Sequence, residues 1–270
     1  MCSMQVVPAN AIDQAIQAIE TDGGVVLRNA ISEEKAAEFA ELVLSSPQKA
    51  PGVKGYQFYV CLLNFDTRFI ELAMHPSVLA LSHHLLGGRT EPALNAFAWP
   101  KEDHVRIGSV DGLVSHPGSE FGWWHMDSPM GQLNQNRPLP DFPILVNAIW
   151  ALTPFSEETG ATRVIPGSFK QRKLPPPTQD PLEGEEYCVA PAGSVVIVPN
   201  TLWHAAGANR SETSRVGVAV NYQPWWVGRL TMDVYPIRED VWERLPPEAQ
   251  ALTKHQLEWN TDFSGELAEE

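Results

Sequence analysis

The chain has only three cysteines, at positions 2, 61 and 188, and no Cys-x-x-Cys pair. An odd, scattered set builds neither a disulfide framework nor a structural zinc site, and it suits a reducing compartment. Long apolar runs are also missing. No stretch reaches the roughly 18 residues that a membrane-spanning helix needs. The opening MCSMQVVPANAIDQAIQ lacks a basic segment followed by an apolar one. Neither a secretory leader nor a membrane partner is expected, and the expected location is cytoplasmic. Positive charge is scarce: 19 Lys and Arg stand against 33 Asp and Glu, for a formal net charge of -14, and no basic run occurs. Such a surface repels phosphate backbones, which argues against nucleic acid as a partner. No internal repeat is visible, which argues against a solenoid.

What is present is apolar and aromatic. Hydrophobic residues make up 43% of 270, with nine Trp and ten Phe, enough to fill a sizeable core. Residues 10–21 have helical spacing and stop at Gly23-Gly24, and VVLRNA follows as a strand. Ser32 caps a second helix to about Ser46, with Glu33 and Glu34 in its first turn. Residues 56–64 read as a strand. Residues 67–86 read as a helix interrupted near Pro76 and closed by Gly87-Gly88.

From about residue 92 the texture changes. Short apolar runs (ALNAFAW, FGWWHM, ILVNAIWAL, TRVIPG, GSVVIVP, RVGVAVNY) alternate with Gly, Pro, Asn and Asp clusters. They predict a mainly β sandwich or barrel with flanking helices. Residues 238–259 return to helical spacing. No linker divides the chain. One domain over 1–270 is expected, with a helix-and-strand part over 1–90, a β core over 91–226 and a helical part over 227–270. Two long polar loops, 128–143 and 169–187, interrupt the core. Each reads either as a lid or binding loop, or as a plain surface insertion.

The chemistry-bearing residues begin with His125 and Asp127. On a strand, residues two apart share a face, so an imidazole and a carboxylate can reach one metal ion. Alone, this short pair says little. Within 191–224 a buried-type strand leads to Trp203-His204, and AGANRSET has turn chemistry. The next strand sets Arg215, Gly217, Ala219, Asn221 and Gln223 on one face and Val216, Val218 and Val220 on the other. A hairpin centred near 209–210 would place His204 opposite Arg215. Two His and one Asp then form a facial set suited to non-haem Fe(II). Arg215 offers a planar fork to a carboxylate, with Gly217 and Ala219 leaving room beside it. The competing reading makes the valines the core and turns Arg215 to solvent.

Further candidates are weaker. Trp123 shares the parity of His125 and either lines a substrate pocket or packs in the core. Asn147, inside an apolar run, is satisfied by backbone or faces a ligand. Asn221 and Gln223 share the Arg215 face, and Met130 follows the His-x-Asp motif on the first long loop. All five are substrate-pocket candidates.

Together these features resemble the phytanoyl-CoA dioxygenase family of Fe(II)/2-oxoglutarate-dependent oxygenases. The resemblance is carried by His125-x-Asp127, His204 and Arg215 in that order, by PFSEETGATRVIPGSF at 154–169 and by HAAGANRS at 204–211. DGGVVLRNAISEEKAAEF and MHPSVLALSHHLLG extend it, so it runs from about residue 20 to about 226. It implies a double-stranded β-helix, a cupin-like jelly roll. It implies that His125, Asp127 and His204 bind Fe(II), and that Arg215 binds the distal carboxylate of 2-oxoglutarate. Oxygen would be consumed and a small organic molecule oxidised, by default hydroxylated, with release of succinate and CO2. Two positions depart from the family. Phe169 stands where many members have His, and Ala206 where several have a Ser that helps hold 2-oxoglutarate. Thr162 is the candidate to supply the missing donor. Two rival readings are a cupin-like metal enzyme that works without 2-oxoglutarate, of isomerase or lyase type, and a catalytically inactive binding barrel.

Overall fold

The computed structural model describes residues 4–50, 52, 54–87, 105–224, 227 and 236–257. They contain the strands β1 Val6–Pro8, β2 Val25–Arg28, β3 Tyr56–Tyr59, β4 Val105–Ser115 and β5 Val146–Ala151. After these come β6 Arg163–Val164, β7 Glu186–Tyr187, β8 Ser194–Pro199, β9 His204–Ala205 and β10 Arg215–Pro224. The helices are α1 Ile12–Asp22, α2 Glu33–Ser45, α3 Ile70–Ala73, α4 Pro76–Leu86, α5 Glu239–Trp242 and α6 Pro247–Thr253. No helix among the described residues is long and apolar enough to cross a membrane.

Seven strands form one sheet in the order β1-β2-β8-β5-β10-β4-β3, and three form a second in the order β7-β6-β9. Only β1 and β2 pair in parallel; the other neighbours are antiparallel. This is a double-stranded β-helix of the cupin-like, jelly-roll kind, mainly β with flanking helices, as expected.

The alternation along β10 sorts the large sheet into two faces. Val216, Val218, Val220 and Tyr222 join Trp150 and Ile197 in one apolar cluster with helical residues such as Ala18, Phe39, Leu72 and Leu81. Each fully buried Val or Leu contributes about 1.5–3 kcal/mol, which holds the helices to that outer face. The opposite face carries Ile149, Ala151, Val196 and Val198, which pack with Phe155, Ala161 and Val164. The site lies on this inner side. Local signals act as read. Ser32 Oγ accepts from the Lys35 N–H at 3.2 Å at the start of α2, and Pro76 opens α4.

Several expectations need correction. The strand expected over 56–64 ends at Tyr59, because Cys61 adopts a left-handed backbone (φ 49°) and a 3-10 turn follows over Leu62–Asn64. FGWWHM forms no strand, only the single bridge between His125 and His204. TRVIPG shrinks to the two residues of β6. The predicted helix after residue 238 is two short helices, α5 and α6. ALNAFAW lies outside the described residues.

The expected hairpin is also absent. Both edges of β10 are taken, by β4 and β5. His204 instead pairs with Val164 of β6. The connection at 206–214 therefore crosses from one sheet to the other. Asn209 shapes that crossing by donating from Nδ2 to the carbonyls of Ser115 and Thr213, both at 2.9 Å.

Candidate active site

A cavity of about 520 Å³ lies between the two sheets. Its wall includes His125, Asp127, His204 and Arg215 together with Asn147 and Thr162. His125 and His204 exchange backbone hydrogen bonds, N–H to carbonyl, at 2.9 and 3.0 Å. That bridge sets their rings side by side, with centroids 4.2 Å apart. Asp127 closes the group. Its Oδ1 is 3.7 Å from His125 Nε2 and its Oδ2 is 3.4 Å from His204 Nε2. One ligand atom from each of the three residues falls within 4.8 Å of the others.

The hydrogen bonds behind the rings fix their chemistry. His125 Nδ1 meets the Trp123 carbonyl at 2.8 Å, and His204 Nδ1 meets the Leu202 carbonyl at 3.0 Å. A carbonyl only accepts, so Nδ1 carries the hydrogen in each ring. Nε2 is the ring atom that faces Asp127: when neutral it offers the lone pair a metal takes, and when protonated it donates to the carboxylate.

The electrostatics agree with a ligand set. Burial alone would raise the Asp127 pKa, but His204, His125 and the Asn147 amide outweigh it and bring it to about 2. Burial pulls His204 down, yet the charge and hydrogen bond of Asp127 leave it raised. His125 is held below the usual imidazole value by burial and by His204, against the opposing pull of Asp127. Its side chain is 48% accessible, so the burial in question is that of a cleft whose walls displace solvent, not of a sealed core.

Arg215 faces the triad from the other sheet and is 4% exposed. Its guanidinium lies 4.6 Å from the centre of the Phe155 ring. Its Nε is buried without a hydrogen-bond partner. Burial lowers its pKa to about 10, opposed by Tyr56. Among the described residues no carboxylate forms an ion pair with it. The volume expected beside Gly217 is not open, because a Cβ there would lie 2.9 Å from the Phe155 ring. Phe155 occupies that space and supports the guanidinium; Ala219 does line the cavity.

The remaining candidates separate. Trp123 is 55% exposed at the cavity mouth. Asn147 donates from Nδ2 to Asp127 Oδ2. Thr162 is buried in the wall. Met130 is not in the wall: it is buried in a cluster with Trp124, Met126, Leu139 and Trp203, so this position on the first long loop is core. Asn221 and Gln223 keep the parity of Arg215 but are buried outside the cavity wall, where Asn221 donates to Ser109 Oγ at 2.5 Å.

Two contributors had no sequence signal. Tyr56 and Arg215 both oppose Ser115 on β4, which puts them in one row on one face, and the Tyr56 hydroxyl donates to the Gly207 carbonyl. Arg163 is fully buried. It donates to Glu185 at 3.1 Å and to the carbonyls of Gly122 at 3.2 Å and Gln179 at 3.1 Å, and it lies over the rings of Phe121 and Trp124. Gln179 also donates to the Phe121 carbonyl at 2.8 Å, and the Trp124 N–H bonds to the Thr178 carbonyl at 3.0 Å. Residues 178–180 of the second long loop are thereby bound into the wall.

Against this geometry, the family model described as Phytanoyl-CoA dioxygenase (PhyH) matches residues 19–217. The chain belongs to the phytanoyl-CoA dioxygenase family. Dioxygenase andF of Emericella variicolor is 34% identical over 117 residues, covering 42% of this chain and 40% of that protein. Dioxygenase cdmD of Talaromyces verruculosus is 33% identical over 141 residues, covering 52% and 46%. The chain thus matches less than half the length of these two curated relatives. Among solved structures, the epimerase SnoN in complex with Fe3+, alpha ketoglutarate and nogalamycin RO superimposes with a TM-score of 0.61 at 18% identity, covering 83% of this chain and 88% of SnoN. At that identity the likeness is one of fold.

Proposed function

We propose that this member of the family is an Fe(II)- and 2-oxoglutarate-dependent oxygenase that oxidises, and by default hydroxylates, a small organic molecule. The observation that carries this reading is Arg215, a buried guanidinium with no ion-pair partner among the described residues, sharing one cavity with a His-Asp-His group. A charge buried without a partner is costly, and a bound carboxylate relieves that cost. The donor set fits the metal, since two imidazoles that turn Nε2 toward one carboxylate suit Fe(II) and leave coordination positions open. SnoN, which has the same fold, was solved with Fe3+ and alpha ketoglutarate, and the curated relatives carry the name dioxygenase.

In this reading His125, Asp127 and His204 hold the iron. Arg215 takes the distal carboxylate of 2-oxoglutarate, steadied from below by Phe155, with Thr162 as the added donor in the wall. When bound, the iron supplies the redox chemistry, with O2 as oxidant and 2-oxoglutarate leaving as succinate and CO2. Asn147 orients the Asp127 carboxylate. The carbonyls of Trp123 and Leu202 keep both imidazoles in the metal-binding tautomer. The wall of residues 178–180 limits water at the cavity. Cys61 and Cys188 are buried free thiols, which supports a reducing, cytoplasmic setting. A metal enzyme that dispenses with 2-oxoglutarate would leave Arg215 without a partner, which disfavours that rival.

The test is anaerobic titration with Fe(II) and then 2-oxoglutarate, read by the metal-to-ligand charge-transfer band in the visible. The band is expected in wild type, lost in His204→Ala, and shifted to far higher 2-oxoglutarate concentration in Arg215→Ala. Iron binding without a band would overturn the 2-oxoglutarate assignment, and no iron binding would overturn the oxygenase.

A further inference from the structure

We propose that the mouth of the cavity receives a neutral, largely apolar, ring-bearing substrate held between Trp123 and Phe58. The inference builds on the oxygenase reading, because it takes Arg215 to be occupied by the co-substrate.

The first support is where apolar surface remains uncovered. Three large aromatic side chains are exposed among the described residues: Phe58, Trp123 and Phe142. Two of them, Phe58 at 37% and Trp123 at 55%, line this one cavity. An exposed aromatic at a concave site is a recognition surface, since it offers a flat apolar face at little entropic cost.

Their placement relative to the metal end is the second. Phe58 opposes Leu113 on β4 and shares the inner face with Tyr56, whose row contains Arg215. Trp123 is tied to the metal end through its backbone, because its carbonyl holds His125 Nδ1 at 2.8 Å. A ring lying on Trp123 is therefore placed beside the ligand set.

Charge is the third. Lys54, at the rim, already meets Glu120 at 3.3 Å and Gln179 Oε1 at 3.3 Å. Asp111 accepts from the Cys61 N–H at 2.7 Å. Arg215 goes to the co-substrate. Among the described residues the wall holds no cluster of cations of the sort that binds phosphate or sulfate. A charged substrate would be desolvated here without a partner, whereas an uncharged ring system loses nothing.

The test uses the whole protein, kept anaerobic and saturated with Fe(II) and 2-oxoglutarate so that Arg215 is filled. Binding of 2-naphthol and estrone, and of their sulfate esters, is measured by equilibrium dialysis, and the charge-transfer band is read in the same samples. At least one neutral probe is expected to bind about tenfold or more tightly than its sulfate. Trp123→Ala and Phe58→Ala should each weaken that probe roughly two- to tenfold, the worth of one aromatic contact. Both side chains are partly exposed, so thermal melting should confirm folded variants, and Trp123→Ala keeps the carbonyl that holds His125. Sulfates binding as tightly as the neutral forms, no binding by any probe, or full binding by both variants would overturn the inference. The band separates the two claims. A band with no probe selectivity sinks this inference alone. Selective probe binding with no band sinks the oxygenase and leaves a neutral, apolar binding site.

Discussion

Asn147, in the middle of the large sheet, donates a side-chain hydrogen bond to Oδ2 of Asp127, a residue that belongs to no strand. An ionised carboxylate only accepts, so the amide must present its Nδ2. Behind it, Asn147 pairs across β5 and β10 with Asn221. A carboxylate on irregular backbone is thus oriented from the stiffest part of the fold. Asn147→Leu should keep the fold and weaken Fe(II) or Co(II) binding roughly 10- to 100-fold, as loss of an outer partner does at metal sites. Anaerobic metal titration measures it, and wild-type affinity in the variant would refute the clamp.

Arg215→Met should act in two opposed directions. Affinity for 2-oxoglutarate should fall roughly tenfold or more, since hydrogen bonds to a charged group are lost. Ligand-free stability should rise by on the order of 1 kcal/mol, because a buried charge without a partner is removed. Thermal melting without ligand reads the second effect. A fall in melting temperature would mean that packing of the guanidinium on Phe155 outweighs its burial cost.

The two histidines predict opposite pH behaviour. His204 is raised by Asp127, so below that raised pKa a metal must displace its proton. His125 is lowered, so it loses its proton before His204 does as pH rises. Asp127, at about 2, stays ionised. Metal affinity should therefore fall as pH drops through the raised pKa of His204, with one proton released per metal bound below it. Calorimetric titration in buffers of different ionisation enthalpy counts that proton. Affinity that stays flat as pH falls well below the ordinary imidazole pKa of about 6.5 would contradict the assignment.

Arg163→Met should destabilise the fold by about 3–5 kcal/mol, because Glu185 is left without its buried partner and the carbonyls of Gly122, Gln179 and Ala206 lose their donor. Proteolysis within 173–185 should speed up before global unfolding does. A variant as resistant as wild type would show that residues 178–180 are held by other contacts.

Much of this site was legible in the sequence, for a definite reason. The parity of β10 placed Arg215, Gly217 and Ala219 on one face because strand alternation survives any choice of partner strand. The partner itself did not. His204 and Arg215 do share a cavity, but from two sheets, since turn chemistry at 206–214 is the same for a hairpin and for a crossing. Met130 was misplaced because a loop position carries no periodicity to tell inside from outside. Tyr56 and Arg163 left no trace, as each matters only through contacts with residues far away in the chain.

The guanidinium of Arg215, which has no counterion among the described residues, also bears on how long the molecule lasts. A chain carrying it without a counterion is at its least stable when empty, and any carboxylate that fills the position shifts the population away from unfolded forms. Degradation in a cell draws on those forms. The abundance of this protein, and not only its turnover, would then follow the supply of the carboxylate it binds.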